Sequence, residues 1–379
     1  RAALPASAWE TQVLPARLAG YSPSHLDALI SEGEVVIRGR GSAGPNDPLI
    51  ALVPSADLEL LAPSDVPPSP ESLELAEAVA RGEGGFVVDD LWRAAEEGLL
   101  APASMAMVRA RIGGSMKAAH KAIRPSPRRR ARLPRLGSSL MGGGTTAQTI
   151  TAGRWYRVRD PELSHHEQAL ALASSWLERF GVITRGAVTA DGTPGGFAAA
   201  YRLLSQLESS GKVLRGYIVE GLGGAQFSTP EVIEQVRQHG DAPDQGGWPS
   251  GVQNPAPVVL AALDPANPYG SVLPWPQHAS ARPSRAAGAI VVLADGVCLA
   301  HLTRGGRTLT LFDAPVGRAE AASLVTGALV HAVTEGRMAR LKIEEIDGVR
   351  VGSSGLEDAL RAAGGRLTPN GIVVEAHRA

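Results

Sequence analysis

"PGGFAAAYRLLSQLESSGKVLRGYIVEGLGGAQFST", residues 194 to 229, contains the pattern that decides the fold. Phe197, Tyr201, Leu204 and Leu207 recur at spacings of three and four residues, which predicts an amphipathic helix. Gly211 follows the last of them and is placed to end that helix, and the next residues resemble a short hairpin. The stretch therefore predicts a helix followed by a two-stranded wing.

Two more helices are predicted just upstream of this stretch. Ser164 and Glu167 have the spacing of a capping box, and "TRGAVTAD" at 184–191 suits a short second helix. Three helices and a wing are typical of a winged-helix domain, which we expect over residues 154–245. In such domains the third helix commonly enters the major groove of DNA, although winged helices also serve as protein–protein adaptors. On the DNA-binding interpretation, Arg202 of that helix and Arg215 of the wing are candidate contacts.

The same order of elements occurs nearer the N-terminus. The spacing of Leu26, Leu29 and Gly33 matches that of the two leucines and the glycine at the end of the helix described above. We therefore expect another winged helix, partial or complete, over residues 1–63. A degenerate winged-helix or helical module is expected over residues 70–120.

The formal net charge of −1 at pH 7 conceals a concentration of cations in one segment. Thirteen Lys or Arg and no Asp or Glu lie between Gly98 and Arg159, which leaves 24 basic against 38 acidic residues, or −14, elsewhere. Within it, residues 121–153 form a Pro- and Gly-rich linker, which is interpreted either as a nucleic-acid-binding arm or as a solvated connection. The candidate phosphate contacts are Lys117, just before the arm, and, within it, Lys121, Arg124, Arg128, Arg129, Arg130, Arg132 and Arg135.

The C-terminal third changes to strands. "AGAIVVLADGVCLAHLTRGGRTLTLF" at 287–312 predicts three strands joined at Asp295-Gly296 and Gly305-Gly306, both strong hairpin signals. With the later strands and two helices, residues 255–379 are expected to form a β-barrel-like module. The predicted fold class is α+β, with tandem winged-helix modules followed by this module.

Several classes of function are disfavoured. No apolar run reaches the length of a membrane span, and the single Cys298 argues against a disulfide framework or a structural zinc site. The one Gly-Lys pair, at Gly211-Lys212, lacks the other glycine of a phosphate-binding loop, so this segment is not expected to bind ATP or another cofactor. We expect a cytoplasmic, nucleoid-associated protein.

The order of modules resembles a known family. The opening stretch, "DPANPYGSVLPWP" at 264–276 and "LRAAGGRLTPNGI" at 360–372 are similar to the C-terminal region of the actinobacterial large helicase-related proteins, Lhr. The resemblance covers essentially the whole chain. It implies the DNA-binding and oligomerisation region of a superfamily 2 repair helicase whose motor domains, with their ATP and Mg²⁺, lie elsewhere. DNA, single-stranded or as a tailed duplex, would be the partner, and a homo-oligomer such as a tetramer would be the assembly.

A more remote similarity concerns the AlkZ-type winged-helix DNA glycosylases. It rests on winged helices followed by strands, with Asp264-Pro265 at the start of the last module. The resemblance implies base excision as an alternative function, but the Gln-x-Gln motif of that family is missing, which leaves Asp264 as a weak catalytic candidate. A scaffold that binds only protein chains is the third hypothesis.

Overall fold

A computed structural model describes residues 2–60, 67–113, 153–158, 163–193, 195–240, 248–249, 252, 254–338 and 340–375. The helices within these ranges are α1 (Ala6–Ala8), α2 (Leu14–Arg17), α3 (Pro23–Ser31), α4 (Pro70–Ala80), α5 (Val88–Glu96), α6 (Met105–Ile112), α7 (His165–Phe180), α8 (Arg185–Asp191), α9 (Gly196–Ser209), α10 (Pro230–Gly240), α11 (Arg318–Thr334) and α12 (Glu357–Ala362). A π-helical turn, Trp9–Val13, connects α1 to α2, and 3-10 turns occupy Ser55–Leu60 and Val351–Ser353.

The strands follow the same order of modules. They are β1 (Leu4–Pro5), β2 (Val35–Gly44), β3 (Asp47–Pro54), β4 (Leu100–Pro102), β5 (Trp155–Arg157), β6 (Val182–Ile183), β7 (Leu214–Gly216), β8 (Gln226–Ser228), β9 (Val258–Ala261), β10 (Ile290–Ala294), β11 (Val297–Leu302), β12 (Thr308–Leu311), β13 (Leu341–Ile343), β14 (Glu345–Ile346), β15 (Val349–Arg350), β16 (Arg366–Thr368) and β17 (Gly371–Val374).

The first module is a helix followed by a long hairpin, as its repeat pattern predicts. Pro23 occupies the first position of α3, and Gly33 follows the helix with a φ of +77°, a conformation that glycine adopts without strain. The strands β2 and β3 pair antiparallel, and β1 adds to the far side of β3. Both strands continue almost to the turn, since Gly44 at the end of β2 pairs with Asp47 at the start of β3.

The module at 70–113 does not form a core of its own. Its helices and the first module bury a common set of apolar side chains that includes Leu26, Ile50 and Trp92. The strand β5 also belongs here: it pairs antiparallel with β4, and Trp155 packs edge-on against Trp92 with ring centroids 5.0 Å apart. This strand therefore packs with residues that precede the basic arm, whereas residue 154 was expected to begin the next winged helix.

The second winged helix has the predicted elements. Ser164 and Glu167 form the capping box at the start of α7, and Thr184 caps α8 by accepting the N–H of Ala187. The helix α9 follows, and β6, β8 and β7 form a three-stranded sheet in that order. One core joins the three helices to the sheet through side chains such as Trp176, Leu204 and Phe227.

The C-terminal module contains the predicted strands but no closed barrel in its described residues. Six strands form one open sheet in the order β15-β14-β12-β11-β10-β9, and β13, β17 and β16 form a separate sheet. The turn at Asp295-Gly296 has positive φ at both residues, as a tight hairpin requires. The helix α11 contributes Val325, Leu329 and Val333 to a core that it shares with both sheets. The barrel expectation is therefore not confirmed, and the described residues form two sheets.

The first and last modules are in direct contact. Leu4, Ala8 and Val13 pack against Ala261 and Leu263 in one small apolar cluster. No helix in the described ranges is long and apolar enough to cross a membrane.

Candidate nucleic-acid interface

The outer face of α9 is polar because its apolar residues are directed into the core. Leu204 and Leu207 are buried, whereas Arg202, Gln206 and Ser209 are exposed. In this fold the helix before the wing is the one that can enter a DNA groove. Arginine and glutamine are side chains that can read base edges through paired hydrogen bonds.

Arg215 of β7 lies against α9. Its Nη1 donates to the hydroxyl oxygen of Tyr201 at 2.5 Å, and its Nε lies 3.3 Å from a carboxylate oxygen of Glu208. The guanidinium centre is 5.9 Å from the ring centroid of Tyr201. These contacts hold Arg215 at the junction of the helix and the wing, but they also compete with a phosphate for its donors.

The wing loop is organised by one buried side chain, that of Gln226. Its Oε1 accepts the backbone N–H groups of Ile218 (3.1 Å) and Val219 (2.7 Å). Its Nε2 donates to the carbonyl oxygens of Val219 (2.8 Å) and Gly223 (2.9 Å). The amide therefore takes the place of strand pairing in a loop that leaves β7 early, and it gives the wing a defined shape.

Tyr217 projects from this wing and is 87% exposed, the highest value among the exposed large apolar side chains of the described residues. Its ring lies over Gly224, where an added Cβ would come within 3.2 Å of the tyrosine hydroxyl. Sequence reasoning missed this residue. The signal was available, because an aromatic residue beside Gly216 in a glycine-rich hairpin has little apolar surface on which to pack.

The other basic residues predicted to bind DNA fall outside the described residues. They are Lys117, Lys121, Arg124, Arg128, Arg129, Arg130, Arg132 and Arg135. Of the predicted set, the structure places Arg202 on α9 and Arg215 on the adjoining strand.

The first winged helix does not present a comparable surface. The helix α3 contains no Lys or Arg, and its Asp27 is bound by Arg109 of α6, with Nη1 2.9 Å from the carboxylate. Arg109 also binds Glu10, which keeps this face of the module in contact with its neighbour. The helix α3 thus has no counterpart of Arg202.

Asp264 is completely buried at the contact between the first and last modules. Its Oδ2 accepts a hydrogen bond from Nε of Arg17 at 2.9 Å, and Nη2 of Arg17 contacts Oδ1. Oδ1 also accepts the N–H of Ala266 at 2.7 Å. Both oxygens of the only catalytic candidate are therefore engaged, and this geometry favours a role in joining modules.

Arg285 fixes the turn that carries Asp264. It donates four hydrogen bonds to backbone carbonyl oxygens, those of Leu263, Asp264, Asn267 and Tyr269, at 2.7 to 3.1 Å. Burial lowers the pKa of this guanidinium from its usual range. The four hydrogen bonds of Arg285 thus stabilise the "DPANPY" turn.

Metal ligands are not gathered anywhere in the part of the chain that the structure describes, since no group of three or more His, Cys, Asp or Glu side chains could hold an ion.

Two segments match models of known domains. Residues 162–248 match a winged-helix domain of the large helicase-related proteins, and residues 2–55 match a second winged-helix domain of the same family. Both segments coincide with the winged helices described above, including the face formed by Arg202 and the wing.

Two curated relatives are similar along nearly the whole chain. A protein of Mycolicibacterium smegmatis, named Lhr helicase/probable uracil glycosylase, is 36% identical over 97% of this chain. A protein of Escherichia coli, named Lhr helicase/uracil glycosylase, is 32% identical over 97% of it. The chain spans about a quarter of the length of these relatives, 26% and 25%. The resemblance to Lhr that the sequence motifs predict is confirmed.

Proposed function

We propose that this chain, which is similar to large helicase-related proteins along nearly its whole length, is a DNA-binding region of such a protein. The observation that carries the proposal is the surface of the second winged helix. There Arg202 and Gln206 are exposed on α9 beside a shaped wing that carries Tyr217, in a segment that matches an Lhr winged-helix model.

The chemistry of the side chains indicates which part of the DNA each surface would contact. Arg202 and Gln206 would contact base edges or phosphates from α9, while Tyr217 would stack on an unpaired base beside the wing. The residues of the basic arm, 121–153, would neutralise phosphates without reading sequence and release counterions from the DNA. Single-stranded DNA or a tailed duplex would contact all three surfaces at once.

Fluorescence anisotropy on labelled single-stranded, duplex and tailed DNA at several salt concentrations tests this function. Deletion of residues 121–146 should weaken binding and reduce its dependence on salt, because fewer counterions are released. Arg202→Ala should weaken binding further. If the deletion variant binds all three DNA forms with unchanged affinity and salt dependence, the arm does not contribute to DNA binding. If the variant that combines the deletion with Arg202→Ala still binds tightly, the proposed surface is not the DNA-binding site.

Base excision is the second candidate function, because both curated relatives have uracil glycosylase in their names. Incubation with uracil-containing DNA followed by alkaline cleavage tests it, since a glycosylase leaves an abasic site that alkali breaks. Strand breaks that depend on both the protein and uracil would support the activity. Intact DNA after long incubation with excess protein would reject it.

The remaining features are proposed for the whole protein. ATP and Mg²⁺ would be used by motor domains, and the chain would self-associate, with a tetramer as the expected assembly. The protein would work in the cytoplasm at the nucleoid. Sedimentation of the chain with and without DNA tests self-association, and a single monomer species across the concentration range would reject it.

A further inference from the structure

A cavity of about 410 Å³ lies between the first and last modules. The first module contributes Thr11, Gln12 and Ala16 from its helical run, and the last contributes β9, the start of β10 and the end of α11. Clefts of this size at module boundaries are where small ligands commonly bind. The cavity is separate from the surface of the second winged helix, because none of its lining residues belongs to residues 163–240.

The lining is amphipathic and positively charged. Arg337, Arg340 and His331 supply the charged and titratable groups, and no Asp or Glu occurs among the described residues that line the cavity. Ile290 and Met338 belong to an apolar wall, which also includes several alanines. An occupant that suits this lining combines an anionic group with a flat or apolar body.

Arg337 has a hydrogen-bond donor with no acceptor among its described neighbours. Its Nε is shielded from solvent and has no acceptor among the residues that the structure describes. Because Nε is shielded from solvent, an anion in the cavity would bind the terminal nitrogens of this partly exposed guanidinium. Arg340 is only loosely held, with Nε 3.4 Å from a carboxylate oxygen of Glu375.

Gln12 shows that the cavity wall is built across the module boundary. Its Oε1 accepts the backbone N–H of Gly288 at 2.8 Å, which holds the carboxamide where the two modules meet. The nearby contact of Arg17 with Asp264 fixes the same pair of modules. The cavity thus has walls that are already in position before a ligand enters.

We infer that this cavity binds a nucleoside monophosphate unit, with its phosphate at Arg337 and Arg340 and its base along the apolar wall. The choice of a nucleotide rests on the proposed DNA-binding function. The unit could be a free nucleotide or one nucleotide of a DNA strand, since both have the same phosphate and base. Arginine suits the phosphate because its planar fork of donors matches the phosphate oxygens.

Isothermal titration calorimetry of the full chain with dUMP, deoxyuridine and inorganic phosphate tests the site. We expect saturable binding of dUMP and weaker binding of each half of the molecule alone. Arg337→Gln, which removes the charge, and Ala16→Leu, which fills the cavity and keeps both arginines, should each weaken dUMP binding by about tenfold or more. Arg361→Gln is the matched control, because Arg361 is exposed on α12 and does not line the cavity.

Absence of saturable dUMP binding, or equal binding by the wild type and both cavity variants, would overturn the inference. If the site exists, displacement of dUMP by a 5′-phosphorylated oligonucleotide would identify a nucleotide of a DNA strand as the occupant. Failure of displacement would identify the free nucleotide. Because Ala16→Leu leaves the second winged helix unchanged, the variant should still bind duplex DNA through α9, so failure of the cavity leaves the DNA-binding proposal intact.

Discussion

Arg17 and Asp264 are 247 positions apart in the chain, yet Nε of the arginine donates to the carboxylate at 2.9 Å. The carboxylate is 0% exposed and the guanidinium side chain is 42% exposed. A buried carboxylate without a cation would be strongly unfavourable, whereas a partly solvated arginine is not. The pair therefore makes the position of the last module depend on the first.

Removal of this arginine should destabilise the fold. Arg17→Ala removes the ion-pair partner of a buried carboxylate and is expected to lower the free energy of unfolding by about 2 kcal/mol, less than for a fully buried pair because water already reaches Arg17. Urea denaturation measures the change. In a double-mutant cycle, Asp264→Asn combined with Arg17→Ala should cost less than the sum of the single changes. Strict additivity would mean that the two residues do not stabilise each other.

Arg202 should contribute to DNA affinity through one phosphate or base contact. Arg202→Ala is expected to weaken binding of all DNA forms and, if the contact is to phosphate, to lower the slope of log affinity against log salt by about one. Anisotropy titrations from low to physiological salt give the slope. Arg361→Ala removes an equally positive but distant side chain and should leave it unchanged. Identical slopes for wild type and Arg202→Ala, with identical affinity, would remove α9 from the interface.

Tyr217 should distinguish single-stranded from duplex DNA. Tyr217→Ala is expected to weaken binding of single-stranded DNA by about 1 to 3 kcal/mol, the cost of one lost base stack, with a smaller effect on blunt duplex. Tyr217→Phe retains the ring and should bind as the wild type does. The stacking role fails if alanine and phenylalanine variants bind single-stranded DNA equally well.

Cys298 should be inert in the folded protein. Burial in the sheet raises the pKa of its thiol to about 12. At pH 8 the native thiol should therefore not react with Ellman's reagent, and it should react fully in denaturant. Because its pKa is higher in the folded state than in the unfolded state, the associated stability is complete below the unfolded value near 9 and decreases as the pH rises toward 12. Rapid labelling of the native protein at pH 8 would contradict this assignment.

Local signals were sufficient to predict the second winged helix and the first hairpin of the last module. The capping box of Ser164 and Glu167, the helix-ending glycines and the hairpin dipeptide Asp295-Gly296 each act within a few residues, so the order of the elements could be read from the chain. The exposed face of α9 followed from the same periodicity, and Arg202 lies on it as expected.

Contacts between distant residues could not be predicted in this way. The pairing of β5 with β4 connects residues on either side of the basic arm, and the short strand "WYR" has no signal that selects its partner. The sequence likewise could not show whether the strands of the last module close into a barrel. Hairpin signals specify which strands are neighbours but not whether the outer strands meet. The ion pair of Asp264 could not be predicted either. In the sequence Asp264 is a turn residue before proline, and only the fold brings Arg17 next to it.

The apolar cluster that joins Leu4, Ala8 and Val13 to Ala261 and Leu263 has a consequence for biosynthesis. A ribosome that adds about 5 to 20 residues per second exposes the N-terminal segment for many seconds before its partners emerge. During that time the segment has an uncovered apolar face, and pairing over such a sequence separation carries a large loop-closure cost. The first module is thus completed only after the last module of the chain has been synthesised, and the uncovered segment is the point at which a chaperone would be needed.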